Sequence, residues 1–294
     1  MNYEKFCAIL NKHIFEGEKK ELLRKIADNP ERFLGLFRPT KPGAKILQHL
    51  LQSHEISMGD ALEEIVEQIL KDMGFEILTK SIVNEEGEQI SLDQYFTDGE
   101  RYYFIEQKVR DDHDSTKKRG QISNFEMKLE ILHKKHALAL VGIMYFIDPD
   151  LSKNKNYYLE ELKRIEKFYG VNLHLFYGRE LFEYFNHPEI WDNFLLWLKQ
   201  WKESLPELPE INFDIAPEES FKEIKDLEIR NWRKILENDK LWEEGSIKAI
   251  FREGTALKLL LKFFNAQHSV PYTQLANLLT EKMKEYYFSG KGRI

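Results

Sequence analysis

A single cysteine, Cys7, in 294 residues leaves no internal disulfide and no cysteine-rich zinc or iron–sulfur site. That scarcity points to a reducing compartment. Long apolar runs are also missing: none approaches the roughly 18 residues of a membrane span. The charged start MNYEKFCAILNKH has no long apolar stretch of the leader type, so the expected setting is the cytoplasm, away from membranes. Basic excess is lacking as well, with 43 Lys+Arg against 50 Asp+Glu and a net charge of -7. Bulk coating of nucleic acid is thereby excluded, although a localised basic groove is not. No glycine-rich phosphate loop of the Walker or Rossmann type is present, which removes the usual support for nucleotide hydrolysis.

What is abundant is core-forming mass: 20 Phe, 13 Tyr and 5 Trp in a chain that is 42% hydrophobic. Such a chain can bury a sizeable core and is not disordered. Charge is sectored, with 12 acidic and 6 basic residues from Glu207 to Glu244, then 7 basic and 3 acidic from Phe251 to Ile294. Four segments follow. Residues 1–57 read as helices interrupted by Pro30, Pro39, Pro42 and Gly43. Residues 58–204 form an α/β block, 205–219 a proline- and acid-rich linker, and 220–294 a helical C-terminal region serving recognition or dimerisation.

Within the block, Met58, Leu62, Ile65, Val66, Ile69 and Met73 share one face of a predicted helix ending near Gly74. The period then changes to strand-like in FEILTKSIV, ISLDQYF and RYYFIEQKVR, separated by the turn signals NEEGE and TDGE. A polar loop DDHDSTKKRG precedes a helix over about 122–136. The unbroken apolar run ALALVGIMYFID then predicts a strand buried on both faces. A helix over 157–169, the strand VNLHLFY and the helix GRELFEYF complete the block. The expected fold class is α/β (α+β), a mixed central sheet flanked by helices, with helical additions at both ends.

The chemistry is concentrated in SLDQYFTDGERYYFIEQKV. Asp93 is placed in one strand and Glu106, Gln107 and Lys108 in the next, across a hairpin. Side chains alternate along a strand, so Glu106 and Lys108 share a face. Two carboxylates, a backbone carbonyl at Gln107 and an ammonium would make a divalent-metal site beside a water-activating lysine. Hard Mg²⁺ fits such oxygen donors, and Mn²⁺ is expected to substitute. Glu63 lies at the flank of the buried helix face, where it either looks into the same site or is a plain surface acid, whereas Glu64 should be solvated. The plain alternative is an amphipathic hairpin with solvated charges. The apolar run Tyr102–Ile105 leading into Glu106 argues instead for a central strand.

In this order, from Met58 to Tyr177, the chain resembles the PD-(D/E)XK nuclease superfamily, in particular its type II restriction endonucleases. The resemblance implies that Asp93 and Glu106 hold the metal, that Lys108 is the catalytic lysine and that Glu63 is the auxiliary helix acid. Two departures stand out: Leu92 where proline is commonest, and Gln107 where an apolar residue is usual. The implied activity is Mg²⁺-dependent, sequence-specific cleavage of double-stranded DNA by a homodimer, with a cognate DNA methyltransferase in the same system. A repair or structure-specific nuclease of the superfamily, and a non-catalytic DNA-binding protein on a decayed nuclease fold, remain as alternatives.

Candidate DNA contacts are Lys117, Lys118 and Arg119 at a helix entry, with Ser115, Thr116, Gln121 and Asn124 beside them. Arg38 and Lys41 form a second candidate in the loop LGLFRPTKPGAK. Asp98 is a second choice for the strand acid. Asp112-His113-Asp114 is a weak metal alternative because adjacent residues seldom converge on one ion, and His133 with His136 lacks a third zinc ligand. The Trp191, Trp197 and Trp201 stretch is either core or a dimer contact. The C-terminal helical pair around Pro271 is either a helix-turn-helix-like reader or simple packing.

Overall fold

The computed structural model describes residues 1–34, 38–84, 86–111 and 114–288. The chain divides into two compact units, residues 1–13 with 57–205 and residues 14–56 with 206–294. Residues 1–57 are shared between the two units.

Three helices open the chain: α1 (Tyr3–Ile14), α2 (Glu18–Asp28) and α3 (Pro42–Asp72). The predicted helix at Met58 is the second half of α3, which is 31 residues long. No proline or glycine pair interrupts 44–58, so the backbone ladder has no reason to break there. Pro42 and Gly43 lie in its first turn, where a missing N–H costs nothing, so the expected proline loop ends earlier than the sequence suggests. The buried face of the second half is Ala61, Leu62, Ile65, Val66, Ile69 and Leu70.

In the first unit a five-stranded sheet follows, formed by β1 (Glu76–Ile77), β4 (Gln94–Thr97), β5 (Tyr102–Lys108), β6 (Leu140–Phe146) and β7 (Asn172–Tyr177) in that spatial order. The strands β2 (Ser81–Val83) and β3 (Gln89–Ser91) pair separately as a small antiparallel hairpin. Pairing is antiparallel from β1 to β5 and parallel from β5 to β7, giving the expected mixed sheet. Parallel neighbours on both sides and helices on the faces bury every residue of β6. Gly142 sits at its tightest point: a Cβ there would meet Leu173 at 2.7 Å, Phe104 at 2.8 Å and Phe125 at 3.1 Å.

The helices α4 (Ser115–His136), α5 (Lys155–Tyr169), α6 (Glu180–Tyr184) and α7 (Glu189–Glu203) complete this unit. α4 begins about two turns earlier than expected. Asp114 caps it, accepting the N–H groups of Thr116 and Lys117 at 3.0 and 2.9 Å, so Ser115–Gly120 is helix rather than loop. The core joins Phe104, Phe125, Leu129, Met144, Phe146, Tyr158 and Ile165. Trp191 and Trp201 are buried in the unit, Trp191 stacking on Phe194 and Trp201 donating to Asn11. Trp197 packs against Phe6. Trp191 and Trp201 are therefore core and Trp197 is half-buried, while the large apolar side chains that α7 exposes are Leu195 and Leu196.

The second unit is helical, with α8 (Pro217–Ile224), α9 (Ile229–Glu237), α10 (Asp239–Glu243), α11 (Ser246–Ile250), α12 (Thr255–Ala266) and α13 (Val270–Met283). Phe213, within the expected linker, is buried in its core. The pair around Pro271 is α12 and α13, and both place leucines in that core. Among the described residues no helix is long and apolar enough to cross a membrane.

Candidate catalytic site

The site is built at the ends of β4 and β5 and closed by α4. Register pairs Gln94 with Ile105, which puts Asp93, the residue just before β4, opposite the Glu106–Lys108 end of β5. The sequence pattern puts Asp93 inside the strand; it lies in the bend between β3 and β4 instead. From there its Oδ2 accepts the Gln107 backbone N–H at 2.8 Å and Lys108 Nζ at 3.0 Å.

Alternation along β5 puts Phe104 and Glu106 on the α4 side. Phe104 packs on Phe125 with ring centroids 4.9 Å apart, and Glu106 reaches Asn124 Nδ2 at 3.2 Å and Lys128 Nζ at 2.5 Å. Gln107 takes the opposite face, where its Oε1 lies 3.5 Å from Gln94 Nε2; that same nitrogen donates to the Glu63 carbonyl of α3 at 2.8 Å. The polar residue at this position thus belongs to a buried seam between β5 and α3. Gln94 Oε1, at the same seam, is buried with no partner among the described groups.

Three oxygens converge on one cationic nitrogen. Lys108 Nζ lies 3.0 Å from Asp93 Oδ2, 2.9 Å from Glu106 Oε1 and 2.8 Å from the Gln107 carbonyl oxygen. These are the two side chains and the carbonyl expected to hold Mg²⁺, so the ammonium stands in for a cation inside that oxygen set. The donors are hard, anionic or carbonyl, and suit a magnesium-like ion completed by water. Among the described residues no group of three or more His, Cys, Asp or Glu side chains is gathered for a metal.

Charge around the site is nearly balanced, two carboxylates facing two ammoniums. Burial opposes ionisation of Glu106, which is 2% exposed, yet the Lys108 and Lys128 charges outweigh it and hold the carboxyl below its ordinary value. Burial likewise opposes the Lys108 charge, and Glu106 and Asp93 outweigh it, holding the ammonium above its ordinary value. For Glu63 the Lys108 and Lys80 charges do not outweigh burial. Burial, then the Asp93 charge, pushes its carboxyl up to about 7. Glu64 points away, bound to His13 at 2.7 Å.

Lys128 escapes a reading of the sequence by motif. Its signal is nonetheless there, for it interrupts the buried stripe Ile122, Phe125, Leu129 and Leu132 of α4 with a charge. Asn124, expected as a DNA contact, is one helical turn earlier and serves Glu106 instead. Gln121 is similarly engaged, accepting from Tyr158 Oη at 2.5 Å. Asp98 is used by its turn, accepting the N–H groups of Glu100 and Arg101 and the Tyr103 hydroxyl.

Lys117 and Arg119, with Ser115 and Thr116, are exposed on the first turns of α4, while Lys118 lies 4.4 Å from the Tyr157 ring centroid. The anion seat expected at this helix N-terminus is already filled by Asp114. Arg38 and Lys41 are exposed and belong to the other unit. Asp112 and His113 of the weak metal alternative lie outside the described residues. His136 stacks on Tyr102 and His133 packs on Tyr169, a packing role for both.

A mixed sheet with an acid before one strand and Glu-x-Lys on the next defines a restriction-endonuclease-like nuclease. The family model described as type II restriction endonuclease, HinfI, matches residues 2–89 and 75–202, and the chain belongs to that family, whose members are type II site-specific deoxyribonucleases. A comparison with curated proteins gives no match.

Proposed function

We propose that the protein hydrolyses phosphodiester bonds of double-stranded DNA at a fixed sequence, using a divalent cation held by Asp93, Glu106 and the Gln107 carbonyl. The supporting observation is the convergence of those three oxygens on the Lys108 ammonium. A cation bound there supplies charge against the phosphate and acidifies the attacking water. Lys108 then has its ammonium free for the water and the scissile phosphate, because its own oxygen partners serve the cation. Glu63, whose carboxyl burial and then the Asp93 charge push up to about 7 in the metal-free protein, is the proposed auxiliary acid of the site.

Lys117, Lys118 and Arg119, five to seven residues before Asn124 on the same helix, are the proposed phosphate contacts. Cutting both strands of a twofold-symmetric site calls for two copies of the chain. A restriction enzyme of this kind also calls for a methyltransferase that protects the host sequence. Digesting plasmid DNA with Mg²⁺, with Mn²⁺ and with EDTA, using wild type, Asp93→Ala and Glu106→Ala, tests the reading. Discrete fragments with sequence-defined ends from the wild type in either metal, and none otherwise, are expected. Cleavage by both variants, or by the wild type in EDTA, would overturn it.

A further inference from the structure

The two oxygens of Glu106 have different company. Oε1 belongs to the set around Lys108 Nζ, with Asp93 Oδ2 and the Gln107 carbonyl. Oε2 faces α4 and is held by Lys128 Nζ at 2.5 Å. Lys128 is itself buried, 6% exposed at its side chain, and lies 3.8 Å from Asp93 Oδ1. A lysine costs free energy in such a place unless it is paired, and its pairing is with the carboxylate oxygen outside the cation set. Asn124 Nδ2, 3.2 Å from Oε1, braces the same carboxylate from one turn earlier on α4.

We propose that Lys128 is a positioning residue that sets which divalent ion the site prefers, by keeping Glu106 a one-oxygen ligand. This rests on the cation site proposed above. Calcium favours carboxylates that offer both oxygens and accepts six to eight ligands, whereas magnesium demands compact octahedral geometry and takes single oxygens plus water. With Oε2 tied to Lys128, Glu106 offers Oε1 alone, the arrangement that suits the smaller ion. Freeing Oε2 gives Glu106 the second oxygen that calcium uses. Losing a positive charge favours both ions alike, so the ratio of the two affinities, rather than either one, reports the positioning.

The test is calorimetric titration of the full chain, without DNA, by Mg²⁺ and by Ca²⁺. Lys128→Met keeps the unbranched apolar stem as far as Cε and removes the ammonium. Its Ca²⁺:Mg²⁺ affinity ratio should rise roughly tenfold over wild type. Lys128→Gln, whose amide can still donate to Oε2, should hold the wild-type ratio. An unchanged ratio in Lys128→Met overturns the inference, as does a Lys128→Gln ratio equal to that of a folded Lys128→Met.

Asp93→Ala separates the inference from the site itself. Loss of both ions in that variant with no ratio change in Lys128→Met sinks only the role of Lys128. Undiminished binding of both ions to Asp93→Ala sinks the site. Should Lys128→Met fail to fold, the wild type still decides. With glutamate carboxyls labelled by ¹³C, its infrared difference spectrum on Ca²⁺ addition should show the wide band splitting of one-oxygen ligation, and a two-oxygen pattern overturns the proposal.

Discussion

Gln107 donates its backbone N–H to Asp93 Oδ2 at 2.8 Å, so the acid proposed to hold the cation also closes the β4–β5 ladder where it ends. One carboxylate does two jobs, and they separate by substitution. Asp93→Ala leaves a largely buried N–H without its acceptor, at a cost of about 1–3 kcal/mol. Asp93→Asn keeps an acceptor and loses the charge. Both should lose cleavage, and urea unfolding should find Asn the more stable of the two.

Lys108 shares its three oxygens with the proposed cation, and its removal should act on rate and metal affinity in opposite directions. Lys108→Met should lower the maximal cleavage rate roughly 10²–10⁴-fold, the worth of a proton-transfer group. The Mg²⁺ concentration giving half that rate should fall, because a competing ammonium has gone. Cleavage rates across a Mg²⁺ titration check both. A raised Mg²⁺ requirement would mean that the ammonium assists the ligands rather than competing with them.

Glu63 gives a pH signature in the protein free of divalent ions. Its carboxyl has an ordinary value of 4.5 and is pushed up to about 7 in the fold, by burial first and the Asp93 charge second. Between those values the folded state binds more protons than the unfolded one, so this group's contribution to stability falls as pH rises. Glu63→Gln removes that slope. In EDTA, the stability of Glu63→Gln relative to wild type should climb from pH 4.5 to 7 and level off above, as followed by denaturant unfolding at several pH values.

Lys117, Lys118 and Arg119 should be read through salt. Each phosphate contact contributes about -0.9 to the slope of log K against log salt. Replacing all three by alanine should flatten that slope by roughly 1–3 contacts' worth and leave the preferred sequence unchanged, since phosphates carry no sequence information. Binding titrations on cognate and scrambled duplexes at several salt concentrations provide the check. An unchanged slope removes this part of α4 from the DNA surface.

Gly142 tests the sheet. A methyl group there meets Leu173, Phe104 and Phe125 at 2.7–3.1 Å; Phe104 is two residues before Glu106 on β5, and Phe125 follows Asn124 on α4. Gly142→Ala should cost about 1–3 kcal/mol by overpacking. It should also slow cleavage with no change to any charged residue, as thermal unfolding and a cleavage assay would show.

Alternation and burial patterns along the chain determined the mixed sheet, the buried β6 strand, the shared face of Glu106 and Lys108 and the flank position of Glu63, because these follow from local periods of 2 and 3.6 residues. Other features required three dimensions. Whether Asp93 lies in β4 or just before it depends on register, which cross-strand hydrogen bonds fix. That Met58 falls mid-helix depends on a ladder the apolar pattern does not mark. Above all, Lys128 is twenty residues beyond Lys108 in sequence and meets the same carboxylate only because α4 packs Phe125 onto Phe104. No local period encodes such a pairing: packing across the sheet face brings the second ammonium to Glu106, and burial makes the contact matter.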